Sequence, residues 1–480
     1  MDRRSFLRIS LIASLGYVLM GCSGRDGNPP TAPAAKPDPA VPESLDGLLA
    51  FRKGDSHYDE HRGGFNLRFQ KHPAVIVLCR STEEVATAVR YALQEGLPVS
   101  VKSGGHCFEG FSSNDGGMVV DVSLMNTVDW LPGSEGAVRI GPGLTLTGMY
   151  DQLLPRGRIV PAGSCGSVAI SGLTLGGGYG LFSRQMGLAC DSLTAVTLVD
   201  GSGKICTTDD DPELLWACRG GGNGNFGVVT SLSFKTHAAP KGLFSHRFKA
   251  YKLDSARAAR LLRGWCELAT DLPRTSFSAF VLNGTTLTIL VTDTENTDAG
   301  LASVLAELGK LTDKGIPGSR QELAPALRRY YGIDHPILFK NASAGFYSGY
   351  ADISDVFPSV AQTVAENRGM IFQVNTLGGA VADPQLERAS AFPHRSFPFL
   401  AELQTYYDKP EQGPGLLESF RKVQGLLRDG GVTRHYRNYP DLDFENWAEA
   451  YYSLNYKRLQ RVKAARDPRG LFSYAQGVRP

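Results

Sequence analysis

The sequence predicts an α+β protein built from two domains, and three observations lead there. Its 480 residues exceed what one hydrophobic core usually organises. Between Val75 and Asp121 the pattern runs strand, helix, strand, glycine loop, strand. From about Lys241 the texture changes: glycine thins out, and helical stretches such as Ala256 to Leu268 alternate with strand-like runs such as Leu287-Thr288-Ile289-Leu290.

The elements follow in order. Val75-Ile76-Val77-Leu78 is an apolar strand. Ser81-Thr82-Glu83-Glu84 predicts a capping box, with Glu84 reaching back to the Ser81 amide, and Val85, Val89, Ala92 and Leu93 continue at helical spacing. Pro98 to Val101 reads as a strand, Ser103-Gly104-Gly105-His106 as a loop and Met118 to Asp121 as a further strand. A second glycine-rich stretch spans Gly163 to Gly180, and a third, Gly220 to Gly227, leads into Val228-Val229-Thr230. The third contains G-x-G-x-x-G, but a dinucleotide fingerprint follows a strand and opens a helix. Here the helix-like Pro212 to Ala217 precedes it and a strand follows, so the Rossmann reading is rejected. Domain limits are drawn at 44–240 and 241–430, with a tyrosine-rich closing segment at 431–480.

A formal charge of +2 offers no electrostatic footprint for nucleic acid. Residues 1–22 read as an export signal: Arg3-Arg4 precede the apolar run Ile9 to Met20, which is too short to span a membrane easily. The paired arginines resemble a twin-arginine signal, and Leu19-Met20-Gly21-Cys22 resembles a lipobox that would be lipidated at Cys22. Residues 23–43, with six prolines, read as a tether. The expected location is therefore exported, held by lipid on the periplasmic or cell-surface side, with no other membrane contact. Cys79, Cys107, Cys165, Cys190, Cys206, Cys218 and Cys266 show no C-x-x-C spacing, so no metal site is expected. Export permits disulfides, and their odd number leaves at least one thiol unpaired unless two chains are linked.

Successive backbone amides in a glycine turn form an anion-binding nest, and Ser103-Gly104-Gly105-His106-Cys107 suits that role. A tight turn between strands is the plainer reading of any one such loop, and His106 or Cys165 alone would pass for structural residues. Together with their surroundings they match a family. Val101-Lys102-Ser103-Gly104-Gly105-His106 with Glu109-Gly110, Gly163-Ser164-Cys165-Gly166 through Gly172, Gly176-Gly177-Gly178-Tyr179-Gly180, and Leu214 through Thr230 resemble berberine-bridge-enzyme-like oxidases of the vanillyl-alcohol-oxidase superfamily. Gly378-Gly379, Phe392-Pro393-His394-Arg395, Tyr436-Arg437-Asn438-Tyr439-Pro440-Asp441 and Tyr451 to Tyr456 extend the resemblance towards the end of the chain.

The resemblance implies a PCMH-type FAD-binding domain, completed by 431–480, and a substrate domain whose antiparallel sheet is covered by helices. It implies covalent FAD, attached at His106 and at Cys165. Ser103, Gly104, Gly105, Cys107, Gly163, Val168, Gly172, Gly177, Gly180, Phe226, Gly227, Val229 and Asn455 are expected around it. Ala169 and Ser453 stand where relatives commonly have glycine. Cys107 is either a third reactive thiol or a packed one, and packing is the better reading.

It implies chemistry too: oxidation of an alcohol or hemiacetal by hydride transfer to flavin N5, with Tyr439 as base and Tyr436 beside it. Reoxidation would use O2, giving H2O2, or another acceptor. Sugar-oxidising relatives support the tyrosine with an acid. The strand before Gly378 carries Gln373 and Asn375 instead, which puts sugar oxidation in doubt and makes both residues candidate substrate contacts. Two other readings remain open: C–H oxidation of a phenolic or secondary-metabolite substrate, and a non-catalytic ligand-binding lipoprotein.

Overall fold

The computed structural model describes residues 45–480 except Ser134. The signal, Cys22 and the tether all lie outside the described residues.

Four strands form the first sheet: β1 (Leu49–Phe51), β2 (Val75–Leu78), β3 (Val99–Lys102) and β4 (Met118–Asp121), in the order β1-β2-β4-β3. β4 runs parallel to both β2 and β3, and all four residues of β2 are buried. A strand enclosed on both faces reads as an unbroken apolar run. The helix Thr82–Gln94 crosses from β2 to β3. Its cap differs from the expected box: Ser81 accepts from the Glu84 amide, but the Glu84 carboxylate accepts from the Arg80 amide (2.8 Å) and pairs with the Arg80 side chain. Arg80 supplies a guanidinium to hold the acid where Ser81 offers only an amide.

A second sheet comprises β5 (Val128–Trp130), β6 (Ala137–Ile140), β8 (Leu193–Val199), β9 (Ile205–Thr207) and β10 (Val228–Lys235), ordered β5-β6-β10-β8-β9; β7 (Arg158–Ile159) pairs with β11 (His237–Ala238). The helix Pro212–Cys218 does precede the third glycine run, and β10 follows it.

The large sheet uses β12 (Phe244–Ala250), β13 (Ser276–Asn283), β14 (Thr286–Asp293), β15 (Lys314–Ile316), β16 (Leu338–Tyr347), β17 (Met370–Thr376) and β18 (Phe399–Tyr407), ordered β15-β12-β14-β13-β17-β18-β16. Every neighbouring pair is antiparallel. Phe280, Leu282, Phe372, Val374, Ala401 and Leu403 pack against residues of the helices Ser255–Ala269, Ala299–Leu311, Phe357–Glu366 and Gly413–Asp429. Because side chains alternate across a strand, Gln373, Asn375, Glu402 and Gln404 fall on the opposite face.

The closing segment touches both parts. The Ser343 amide of β16 donates to the Tyr439 carbonyl (2.9 Å), while farther on Val99 of β3 donates to the Leu471 carbonyl (3.0 Å) and buried Lys463 donates to the Asn225 carbonyl (2.7 Å). Ser453 has a φ of 48°, a conformation that favours glycine. No disulfide forms among the described residues; all seven cysteines there are free.

Candidate active site

The loop after β3 and the stretch Gly163 to Gly172 meet over a cavity of about 310 Å³. A Cβ on Gly104 would stand 2.8 Å from the Ala169 amide nitrogen, so the two loops approach this closely only because residue 104 is glycine. Beneath them Lys102 donates to the His61 carbonyl (2.6 Å) and lies 3.4 Å from the Asp121 carboxylate, anchoring the end of β3.

His106 stacks on Phe65, with ring centroids 4.0 Å apart and planes inclined by 24°. Burial depresses its pKa to about 4, opposed by a hydrogen bond to the Ser167 backbone. The imidazole is thus neutral at ordinary pH. Burial pushes the Cys165 thiol up to about 11 despite hydrogen bonds from Ser167. Distant along the chain, imidazole and thiol converge on Ser167 and both line the cavity. Cys107 also lines it; its sulfur accepts from the Phe111 amide (3.4 Å), and burial raises its pKa, which suits a packed thiol rather than a third nucleophile.

The C-terminal tyrosines supply hydroxyls. Tyr436 accepts from the Gly178 amide (2.8 Å) and from Asn438 Nδ2 (2.9 Å), so its oxygen is held in place. The Tyr439 and Tyr179 hydroxyls lie 2.8 Å apart, and Asn375 Nδ2 donates to Tyr179 (3.2 Å). Phe108 stacks on Tyr439 with centroids 5.2 Å apart. Behind Tyr439 stands Glu402, which is 1% exposed. Burial raises its carboxyl to about 8, moderated by Gln404, Asn341 and Tyr439 nearby; Asn341 Nδ2 donates to Oε1 (3.4 Å), while buried Oε2 has no hydrogen-bond partner among the described residues. Burial, followed by the Glu402 charge, raises both Tyr179 and Tyr439 well above the usual phenol range.

Of the residues singled out from sequence, Ser103, Gly104, Gly105, His106, Cys107, Gly163, Cys165, Val168, Gly172, Gly180, Gly227, Val229, Asn375, Tyr436 and Tyr439 line the cavity. Four do not. At Gly177 the chain passes Phe392 and Tyr436, each within 3.3 Å of an added Cβ. Phe226 is buried in the hydrophobic core. Gln373 lies behind Asn375, to which its Nε2 donates (2.7 Å). Asn455 donates to the Ala391 carbonyl (3.2 Å) and neighbours Leu454, which is 94% exposed.

Sequence reasoning missed Glu402 and the role of Tyr179. The expected acid is absent from β17 but present on β18, where Glu402 pairs in register with Gln373. Tyr179 stood within a quoted glycine motif, where its side chain was the available signal.

Lys340 of β16 is 4% exposed and pairs with Glu109, and with Asp441 at 2.6 Å, both also buried. Glu109 follows His106 by three positions and Asp441 follows Tyr439 by two, so one ammonium ties both site loops to the sheet.

Glycine loops at strand ends, facing a cavity under the large sheet, suit a flavin-binding oxidoreductase. The comparisons agree. A family model described as "FAD binding domain" matches residues 73–209, and one described as "Berberine and berberine like" matches 435–479. The chain is 31% identical to the aclacinomycin-N/aclacinomycin-A oxidase of Streptomyces galilaeus, covering 94% of each chain. It is 26% identical to a chitooligosaccharide oxidase of Gibberella zeae, over 89% of this chain and 92% of that one. The solved structure of a berberine-bridge-enzyme-like protein of Physcomitrella patens superposes with a TM-score of 0.83 at 21% identity, covering 91% of this chain and 98% of that one. The chain belongs to the berberine-bridge-enzyme-like family of FAD-linked oxidoreductases.

Replacing Lys340 by Met would leave two buried carboxylates facing each other without a cation. The expected loss of folding stability is about 3–5 kcal/mol, read from urea unfolding; a loss below about 1 kcal/mol would mean the triad bears little structural weight.

Proposed function

We propose that this protein is an oxidase or dehydrogenase of CH–OH groups that holds FAD covalently through His106 and Cys165. The residues fit the group. A neutral imidazole and a thiol face one cavity, glycine loops leave room for close backbone approach, and buried Asn223 Oδ1 on the wall has no hydrogen-bond partner among the described residues. Bound FAD supplies the two-electron acceptor, which O2 or another oxidant restores.

The chain's own residues handle the proton. A substrate hydroxyl placed against the Tyr439–Tyr179 pair would donate into it, and Glu402 would draw the proton onward. A buried phenol with a raised pKa is a poor base alone; a carboxylate poised near 8 improves the match. The 2.8 Å contact between the Tyr439 and Tyr179 hydroxyls, with buried Glu402 behind them, is the observation carrying the proposal.

Glu402 supports a sugar reading, since an acid absent from β17 stands on the neighbouring strand, in register with Gln373. Asn341 and Asn375 on the cavity wall, backed by buried Glu402 and Gln404, favour a substrate with several hydroxyls, as the name of the chitooligosaccharide oxidase relative suggests. Phe65, Phe108, Phe277 and Phe339 on the cavity wall favour an aromatic or polycyclic portion, the ground for the alternative of phenolic or secondary-metabolite oxidation. Anaerobic bleaching of the flavin across a panel of oligosaccharides, alcohols and phenols separates the two, and bleaching by none would favour a binding protein. We also propose that residues 1–43 form a twin-arginine lipoprotein leader and tether, resting on Arg3-Arg4 and Leu19 to Cys22.

Three outcomes are expected. Acid-precipitated protein stays yellow, and mass spectrometry finds flavin adducts on peptides containing His106 and Cys165; a colourless precipitate with unmodified peptides would refute covalent attachment. Because Glu402 accepts a proton only when ionised, kcat/KM should rise with pH through an apparent pKa near 8. Glu402→Gln should remove that limb and lower kcat roughly 100-fold or more, yet be at least as stable as the parent above pH 8, where the buried carboxylate is charged. An unchanged pH profile would remove Glu402 from the proton path. Finally, Cys22→Ala should move the exported protein from the membrane to the soluble fraction; a wild-type protein already soluble would count against the lipid anchor.

A further inference from the structure

Arg437 lies between two site tyrosines in sequence, yet its side chain takes no part in the proton path. It is 5% exposed and lines the same cavity. Its Nε donates to the Tyr452 hydroxyl (2.9 Å) and its Nη2 to the Tyr474 hydroxyl (2.8 Å). The guanidinium carbon stands 5.7 Å from the Tyr451 ring centroid and 5.6 Å from that of Tyr474. Among the described residues Nη1 has no hydrogen bond, and no carboxylate pairs with the group.

The titratable groups facing it are neutral at ordinary pH. Burial raises the phenols of Tyr451, Tyr452 and Tyr474, and the Cys107 thiol as well. Arginine stays protonated throughout. Of the side chains lining the cavity, Arg437 is the only lysine or arginine, and none is Asp or Glu. A buried charge facing only neutral dipoles costs several kcal/mol unless something anionic meets it.

A second observation lies at the same corner. The Tyr474 hydroxyl that accepts from Arg437 is 2.8 Å from the Asn223 carbonyl. Asn223 lines the cavity, and its buried Oδ1 is the unpartnered acceptor noted above. The corner thus offers the Arg437 Nη1 donors and the Asn223 Oδ1 acceptor, neither engaged by another described residue.

We infer that Arg437 is a cofactor-binding residue whose guanidinium meets an electron-rich oxygen of bound FAD, on the diphosphate or on the pyrimidine carbonyl at C2. This rests on the FAD reading above. A planar donor with one free edge suits either oxygen.

Replacing His106 and Cys165 by Ala gives a background in which flavin exchanges freely. In it, Arg437→Gln is compared with intact Arg437 for the Kd of FAD and of riboflavin, read by fluorescence quenching, with circular dichroism confirming the fold. FAD affinity should fall about tenfold or more. Riboflavin affinity unchanged would assign the diphosphate; an equal fall for both would assign the pyrimidine edge. A folded Arg437→Gln protein that binds both flavins as before would overturn the inference and leave the FAD reading standing. A background protein that binds neither flavin while Arg437 is intact would overturn both. Should Arg437→Gln not fold, Arg437→Lys reports instead: a point charge without the fork should weaken FAD several-fold, and undiminished affinity would overturn the inference.

Discussion

The buried Lys340 ammonium is the constraint on which the site's geometry depends. It stands on β16 and joins carboxylates from two other stretches of chain, Glu109 beyond His106 and Asp441 beyond Tyr439. An apolar cluster of equal volume would avoid the desolvation of three ions and could be as stable. It would not fix direction. Lys340 presents three N–H donors, two of them spent on these acids, and the Phe420 ring lies 5.4 Å from the nitrogen. Its position therefore sets where the His106 loop and the Tyr439 loop lie relative to the sheet, and so where the imidazole and the phenol face the cavity.

Burial then does two different jobs with one physical effect. Removing water disfavours the charged form of every group it encloses. For His106 that means a neutral imidazole, and for Cys165 and Cys107 it means protonated thiols. For Glu402 it lifts the carboxyl to about 8, towards the range where a proton can be both taken and returned near neutral pH. The cavity wall is left with a single obligate cation, Arg437. An electrically sparse pocket of this kind makes each remaining charge count for more than it would in water.

How much of this was legible in the sequence depended on how local the signal was. Strand Val75–Leu78 and the helix after Ser81 declared themselves through an apolar run and a cap, and the G-x-G-x-x-G run could be set aside because its flanking elements stood in the wrong order. His106, Cys165 and Tyr439 were legible only through family resemblance, since nothing in their neighbours' composition shows that the first two share Ser167. Glu402 was not legible. Its place beside Tyr439 is decided by strand order β17-β18-β16 and by register with Gln373, and neither is written in the local pattern. Asn455 shows the converse: a residue in a matching motif whose side chain is spent on the Ala391 carbonyl.

The large sheet shows why site and core can vary separately. Along β17, Met370, Phe372 and Val374 pack with the covering helices, while Gln373 and Asn375 face the flavin-side domain. Along β18, Ala401 and Leu403 join the same core and Glu402 and Gln404 face the other way. Period-two alternation thus puts core packing and the polar row on alternate residues of one strand. A change at 402 or 375 alters the polar row facing the flavin-side domain without opening a cavity under the helices, whereas a truncation at 372 or 403 would cost packing and leave the polar row in register. That division lets a scaffold carry an acid on either of two adjacent strands without disturbing the core, so the place of an acid along the chain is a weak guide to its place in the fold.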